Sequence, residues 1–150
     1  MSRVKSLYAL IEQVRVAADL VSGIAERTHA GAGVTGAMRA VLERLARAGA
    51  QTVPEIARAR NVSRQHVQKG VDALAGAGLV ALRPNPVHRR SSLVAPTERG
   101  RAVFAGIEAH EAAIVRRLAE QLGDRDLGQT ARALRALNEA LSGVAEDFRY

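Results

Sequence analysis

The sequence of 150 residues contains no cysteine, only 3% aromatic residues and no long apolar run. Without cysteine, disulfides, thiol nucleophiles, thiol-based redox sensors and cysteine-ligated zinc are all excluded. No apolar stretch approaches the roughly 20 residues that a membrane-spanning helix needs, so no membrane partner is expected. The amphipathic N-terminus carries Glu12 and Asp19 and does not resemble a secretory signal, which predicts a cytoplasmic protein.

Signatures of catalysis are missing as well. The chain has no Gly-rich phosphate loop, no HExxH motif and no GxSxG motif. We therefore expect neither an enzyme nor a bound cofactor. His29, His110 and Glu111 lack the compact spacing of a zinc site, so no metal is expected.

What the chain does have is positive charge concentrated in its middle third. The formal net charge is +7. Residues 51–100 carry eight Lys or Arg against three Asp or Glu, whereas residues 101–150 carry seven against eight. A localised basic segment indicates an anionic partner, with nucleic acid the first candidate, although charge alone fits a solvated surface equally well.

Apolar residues with helical spacing predict two helices in the N-terminal third. Over 6–27 and over 36–48 they recur at steps of three and four. Thr35 is placed to cap the second helix, and the segment 29–35 is predicted to be a loop. With 47% apolar residues and few aromatics, the core must consist mainly of Leu, Val, Ile and Ala.

The following segment predicts a helix-turn-helix. Thr52 and Glu55 form a capping box at the start of a short helix, and Asn61 suits a left-handed turn after it. Ser63 then caps a longer helix that ends near Gly76 or two residues later. Two helices joined by so short a turn are typical of a helix-turn-helix.

The helix that Ser63 caps is polar and basic in its first half and apolar in its second half. Its second half is apolar, and Val67, Val71 and Leu74 form one stripe that would fix it on the domain. Its first two turns are polar and basic, as expected for a helix whose N-terminal end enters the major groove of DNA. The candidate DNA-binding residues of this recognition helix are Ser63, Arg64, Gln65, His66, Gln68 and Lys69.

A basic β-hairpin follows the recognition helix. Residues 80–84 and 92–96 predict two strands, with residues 85–91 at the tip. A lone Arg-Arg pair is more often solvated than functional, but Arg89 and Arg90 sit between two strands after a helix-turn-helix. We therefore expect them to enter the minor groove or to clamp its phosphates. The further candidates on this hairpin are Arg83, His88 and Ser91.

Two long helices are predicted to complete the chain. Thr97 is placed to cap the first, which the GDRD segment interrupts. Asp124 and Asp126 in that segment look like capping residues rather than catalytic ones. The last helix carries an unbroken apolar stripe and is predicted to reach about Phe148.

In order of elements this is a winged helix-turn-helix, and its residues resemble the MarR-type transcriptional regulators. That family has a capped recognition helix, Gly-Leu-Val, a basic strand, a Pro-containing wing with Arg, and Thr-x-x-Gly opening the next helix. The matching positions are Gly78, Leu79, Val80, Arg83, Pro86, Arg90, Thr97 and Gly100. Two positions depart: His88 replaces the family's Asp, which helps to orient the wing, and Pro96 replaces its Leu.

The resemblance implies a mainly α fold with a small β-hairpin wing and N- and C-terminal dimerisation helices. Residues 1–150 would form a single chain of this type, with a DNA-binding lobe at 35–100 and dimerisation helices at 1–30 and 101–150. It further implies a homodimer that binds a palindromic operator on double-stranded DNA, usually as a repressor. Many relatives bind a small aromatic or anionic effector and then release DNA. His29 and His110 are candidates for such a site by their position, and the site is otherwise unknown.

Two other functions remain open from the residues. A non-specific architectural DNA binder would share the charge, but the Gln-His-Gln series on the recognition helix favours specific binding. A winged helix can also serve as a protein-interaction module, since a fold does not fix a function. The basic helix start and the Arg-Arg tip argue against that alternative.

Overall fold

The computed structural model describes residues 2–123 and 125–147, apart from the side chain of Glu146. The chain divides after Ala113 into two compact units. Within the described residues, no helix is long and apolar enough to cross a membrane. The elements in chain order are α1 (Arg3–Gly31), α2 (Gly36–Ala48), α3 (Val53–Arg60), α4 (Arg64–Gly76), β1 (Val80–Pro84), β2 (Ser92–Pro96), α5 (Glu98–Leu122) and α6 (Leu127–Asp147). The predicted fold class, mainly α with a small β-hairpin, is confirmed.

Hydroxyl caps start α2, α4 and α5 where the sequence predicted. The side chains of Thr35, Ser63 and Thr97 each accept a hydrogen bond from the backbone N–H three residues on, at 3.2, 3.1 and 3.0 Å. Each cap satisfies a donor that the first turn of a helix leaves free. Asn61 adopts φ 51° and ψ 47°, the left-handed conformation that turns the chain from α3 into α4.

The core of the first unit lies beneath α2, α3, α4 and the hairpin. Ala57 on α3 is buried in this core, and Val62 in the turn between α3 and α4 packs against it. The aliphatic side chains that are almost fully buried are Val41, Leu42, Leu45, Ile56, Val67, Val71, Leu74, Val94 and Ile107. Phe104 on α5 is also buried in this core, a position that the helical spacing did not single out.

Gly70 lies where α4 crosses α2. A methyl group at this position would lie 3.6 Å from a Val41 methyl and 3.8 Å from the Ala37 carbonyl oxygen. Both distances are ordinary van der Waals contacts, so the site has room for alanine. The packing of α2 against α4 therefore does not require a glycine here.

Gly100, in the first turn of α5, has no such room. A methyl group there would lie 1.9 Å from the carbonyl oxygen of Leu79. The same carbonyl accepts a hydrogen bond from the N–H of Thr97 at 3.0 Å, and the Thr97 hydroxyl donates to the Gly78 carbonyl at 2.8 Å. The Thr-x-x-Gly sequence thus fastens α5 onto the segment that links α4 to β1.

The first helix is longer than the sequence predicted. It was expected over 6–27 and extends over Arg3–Gly31, because Ser2 caps it and its last turn continues through His29. The loop predicted over 29–35 was therefore wrong for its first three residues. His29 is only 8% exposed, so its packing outweighs the low helix propensity of this Gly-rich end.

The other predicted boundaries agree with the structure. The strands β1 and β2 pair antiparallel with Val80 opposite Pro96, which leaves residues 85–91 as the tip. The side chain of Asp126 accepts from the N–H of Gln129 at 2.7 Å and so caps α6, as expected. Asp124 and Phe148, which were also assigned to this region, lie outside the described residues.

Candidate nucleic-acid interface

The helix α4 separates its polar and apolar residues as the sequence predicted. Val67, Val71 and Leu74 are 0% exposed, so this face is wholly committed to the core. The six polar candidates of its first two turns and cap are all exposed: Ser63, Arg64, Gln65, His66, Gln68 and Lys69. Packing therefore fixes the helix and leaves its N-terminal half free to enter a groove.

An acidic residue on α4 shares this surface. The side-chain amide of Gln68 donates to the carboxylate of Asp72 at 2.7 Å. Sequence reasoning did not consider Asp72, although its position four residues after Gln68 is the signal for such a pair. The contact holds the Gln68 side chain along the helix and occupies one of its amide hydrogens.

The wing tip is closed by hydrogen bonds within residues 85–91. Asn85 is 9% exposed, and its side-chain oxygen accepts from the N–H of Val87 at 3.0 Å and from the N–H of His88 at 3.4 Å. Its amide donates to the Ser91 hydroxyl at 3.0 Å, and that hydroxyl donates to the His88 carbonyl at 3.1 Å. Sequence reasoning missed Asn85, for which the Asn-Pro pair was an available turn signal.

The predicted DNA-binding residues of the wing differ in solvent exposure and in the hydrogen bonds that they already make. Arg83, His88, Arg89 and Arg90 are exposed. Ser91 is half-buried, and its hydroxyl and N–H both bond within the tip. Its predicted DNA contact therefore competes with an existing structural role.

A cleft of about 410 Å³ lies between the wing, the start of α3 and α4. It joins the two groups of candidates, because Gln68 from α4 and Arg90 from the wing both line it. Its other lining residues are Thr52, Val53, Pro54, Leu82, Ser91, Ser92 and Val94. A cationic side chain in a cleft beside the recognition helix is suited to a phosphate of the DNA backbone.

The start of α3, on the edge of this cleft, carries the predicted capping box. The Thr52 N–H donates to the Glu55 carboxylate at 2.7 Å, and the Glu55 N–H donates back to the Thr52 hydroxyl at 3.4 Å. These hydrogen bonds, with the one from the Thr52 hydroxyl, hold the pKa of Glu55 below its ordinary range. The Glu55 carboxylate is therefore ionised at neutral pH and accepts hydrogen bonds from Thr52.

A second cleft lies between the end of α1 and the first half of α5. It has a volume of about 530 Å³ and is lined by Arg27, Thr28, Gly31, Ala32, Ala102, Val103, Gly106, Ile107 and His110. His110 thus lines a cleft, whereas His29 is buried with its Nε2 atom 3.6 Å from Oε1 of Glu111. In residues 2–123 and 125–147, no three His, Asp or Glu side chains converge as metal ligands would.

Comparison with known proteins shows which family the chain resembles. A model described as MarR family matches residues 32–91, which span the helix-turn-helix and most of the wing. A crystal structure of a MarR-family transcription regulator superposes with a TM-score of 0.85 and 28% identity, covering 95% of each chain. The chain is therefore similar to the MarR family in sequence over residues 32–91, and to a MarR-family structure over nearly its whole length. The resemblance drawn from residues 52–100 is thereby confirmed.

Two further proteins are similar to this chain. An uncharacterized protein of Mycobacterium tuberculosis is 40% identical over 92 residues, which cover 61% of this chain and 64% of the relative. The Bordetella bronchiseptica protein BpsR has 21% identity and a TM-score of 0.66, covering 88% of this chain and 98% of that one. The DNA binding of BpsR is regulated by 6-hydroxynicotinic acid. Members of the MarR family are non-enzymatic regulators, in agreement with the prediction that this chain is not an enzyme.

Proposed function

We propose that this chain is a sequence-specific, DNA-binding transcriptional repressor. The observation that carries the proposal is the division of α4, in which Val67, Val71 and Leu74 are 0% exposed while the six polar candidates of its cap and first two turns face solvent. A helix that only completed a core would not keep an exposed series of Arg, Gln, His and Lys. The proposed lobe for this function is 35–100, and the proposed compartment is the cytoplasm.

In this proposal α4 reads bases in the major groove. Arg64 would bind guanine O6 and N7 with two hydrogen bonds, and Gln65 would bind adenine N6 and N7 in the same way. His66 and Lys69 extend the contact, and the Ser63 hydroxyl, whose oxygen caps the helix, keeps its hydrogen for a phosphate. Gln68 reaches bases only after giving up, or sharing, its contact with Asp72.

The two arginines of the wing have separate roles in this proposal. Arg90 lines the cleft that also contains Gln68, and there it would bind a phosphate of the DNA strand that leaves the major groove. Arg89 is exposed at the tip and would enter the minor groove, where negative potential attracts arginine. Arg83 and His88 would add contacts to the phosphates on either side.

Apolar surface that a single chain leaves uncovered supports binding as a homodimer. On α1, Leu7 is 45% and Val21 is 64% exposed, and on α6, Leu141 is 49% and Val144 is 52% exposed. All four belong to stripes that the sequence predicts to be buried. We propose that a second copy covers the helices of 1–30 and 101–150. Two recognition helices about 34–36 Å apart would then read a palindromic operator.

The cleft between α1 and α5 is the proposed effector site. The side chains of Arg27 and His110 beside Val103 and Ile107 suit a small aromatic or anionic molecule, because they combine cationic or polar groups with an apolar wall. That the DNA binding of BpsR is regulated by 6-hydroxynicotinic acid, an aromatic acid, supports this assignment. Effector binding would release DNA by favouring a second arrangement of the dimer.

Selection of bound sequences from a random duplex pool at near-physiological salt tests the proposal. Enrichment of an inverted repeat is expected, because a two-fold dimer presents two identical helices. Binding without an enriched motif would replace the proposal with the architectural role. A failure to bind any duplex, with and without small aromatic acids, would favour a protein-interaction module.

A further inference from the structure

The wing keeps one buried polar side chain that the proposed DNA contacts do not use. Asn85 is 9% exposed, although it directly follows β1 and residues 86–90 of the tip are exposed. A buried amide is costly unless its hydrogen bonds are made, so its partners indicate its role. Those partners are the N–H groups of Val87 and His88 and the hydroxyl of Ser91.

These contacts join both ends of the tip. The Asn85 side-chain oxygen accepts from the backbone N–H groups of residues 87 and 88, and its amide donates to Ser91, the residue before β2. Ser91 in turn bonds to the His88 carbonyl through its N–H at 3.0 Å and its hydroxyl at 3.1 Å. Arg89 and Arg90 therefore lie inside a turn that is fixed on both sides.

The closure also explains how the wing is ordered without a carboxylate. The hydrogen bonds that close the tip involve no carboxylate, and His88 contributes to them through its backbone N–H and carbonyl. A neutral amide performs the ordering instead, so the tip retains its full positive charge. That charge is favourable beside a polyanion.

We propose that Asn85 is a positioning residue for DNA binding, which closes the wing and holds Arg90 in the cleft beside α4. The inference rests on the proposed DNA binding. Because Arg90 lines that cleft with Gln68, a loosened tip would lose the phosphate contact while the charge of the protein stayed the same. Asn85 itself touches no nucleotide in this proposal.

The test is a double-mutant cycle between Asn85→Ala and Arg90→Ala, measured on the selected operator by fluorescence anisotropy over a range of salt concentrations. Each single variant should weaken binding about tenfold, the size of one charge-assisted hydrogen bond. The double variant should be little weaker than Arg90→Ala alone, since Asn85 acts through Arg90. In addition, Asn85→Ala should lower the salt slope, although it removes no charge.

Two further variants separate positioning from simple loss of structure. Ser91→Ala removes one partner of Asn85 and should weaken binding about threefold. Val87→Ala changes an exposed side chain but keeps the N–H that Asn85 binds, so it should stay within twofold of the wild type. Amide hydrogen exchange should speed up at Val87 and His88 in Asn85→Ala and nowhere in the core.

The outcomes distinguish this inference from the function on which it rests. If the wild type binds no duplex, the proposed function fails. If the wild type binds and Asn85→Ala binds equally well, or if the two substitutions are fully additive, the positioning role is overturned. A global loss of stability in Asn85→Ala would be seen as faster exchange throughout the core, and the positioning role would then be rejected unless Ser91→Ala showed the same coupling to Arg90.

Discussion

Arg39 on α2 holds Glu111 on α5 through two parallel hydrogen bonds, from Nε to Oε1 at 3.1 Å and from Nη2 to Oε2 at 2.8 Å. The same guanidinium lies 5.8 Å from the ring centre of Phe104 and also binds Glu43. His29 approaches the carboxylate from α1, with 3.6 Å between Nε2 and Oε1. One partly buried cluster of charge therefore ties three helices of the first unit together.

Stability should depend on the ionisation of Glu111. Its pKa is lowered from the ordinary 4.5, chiefly because Arg39 donates to the charged form. Because the folded pKa is the lower one, the contribution is complete above the unfolded value and is lost as the pH falls through the folded pKa. We expect Glu111→Gln to lower the free energy of unfolding by about 1–2 kcal/mol at neutral pH.

Urea denaturation of both proteins between pH 7 and pH 3 checks this expectation. The difference between wild type and Glu111→Gln should be constant above pH 5 and should shrink at lower pH. Glu108 is exposed on the same helix, so Glu108→Gln is the matched control and should change stability by less than about 0.5 kcal/mol. A difference that did not change with pH would mean that Glu111 acts through packing rather than charge.

Two glycine-to-alanine substitutions should have opposite effects. At Gly100 the added methyl meets the Leu79 carbonyl at 1.9 Å, so Gly100→Ala should cost about 3 kcal/mol through overpacking and displacement of α5. At Gly70 the nearest atom is 3.6 Å away and the residue lies inside a helix. Gly70→Ala should therefore stabilise the protein by up to about 1 kcal/mol.

Thermal or urea denaturation measures both glycine variants, and each serves as the control of the other. A stable Gly100→Ala protein would show that α5 shifts easily away from the segment before β1. A destabilised Gly70→Ala protein would show that the contact of α4 with α2 is tighter than ordinary van der Waals packing.

The sequence predicted the elements whose ends carry local signals. The bounds of α2 and α3 and the hairpin tip at 85–91 follow from side-chain caps, glycine and proline within a few residues, and the structure has them as predicted. The end of α1 was not predictable in this way, because it depends on the packing of His29. The pairing of Arg39 with Glu111 spans 72 positions and leaves no periodic trace in the sequence.

In the candidate site, too, the features with local sequence signals were predicted and those that depend on long-range packing were not. The capped, polar start of α4 was recognisable because its residues are consecutive. The cleft shared by Gln68 and Arg90 was not, since it depends on how the wing folds back towards α4. Asn85 was overlooked because an asparagine in a turn is common, and only its burial and its three partners mark it out.

Substitutions in α4 and in the wing should differ in sequence dependence. Arg64→Ala should cost about 1–3 kcal/mol on the operator and relax discrimination at one position of each half-site, because it removes contacts to a base. Arg90→Ala should weaken binding to every duplex and lower the salt slope by about one, because it removes a phosphate contact. Arg116→Ala, on the exposed surface of the second unit, is the charge-matched control. It should change neither the discrimination between sequences nor the salt slope.

These predictions are checked by measuring the affinity of each variant for the operator and for scrambled duplexes at several salt concentrations. Equal weakening of Arg64→Ala on all sequences would refute its assigned role in base reading. Equal discrimination by wild type and Arg90→Ala is expected, whereas a change in preferred sequence would move Arg90 from the phosphates to the bases.

The uncovered stripe of α1 yields the prediction about assembly. Val21 is 64% exposed and lies on the same helical face as Leu7, whereas Val16 is 44% exposed and lies about half a turn away around the helix. A lysine in a dimer interface would be buried without a partner, so Val21→Lys should produce monomers. Because one recognition helix contacts half of a palindrome, operator binding should fall at least 100-fold in this variant.

Val16→Lys is the matched control for that experiment, since it adds the same charge to the opposite face of the same helix. Sedimentation velocity should show it as a dimer, with operator binding close to that of the wild type, whereas Val21→Lys should sediment as a monomer with unchanged helix content. Helical propensity is the same for both changes, so a difference in assembly can only come from what covers each face. If Val21→Lys remained a dimer and bound the operator normally, the α1 stripe would not be the subunit interface. If both variants were monomers, the interface would wrap around α1 rather than follow the apolar stripe that the sequence predicts.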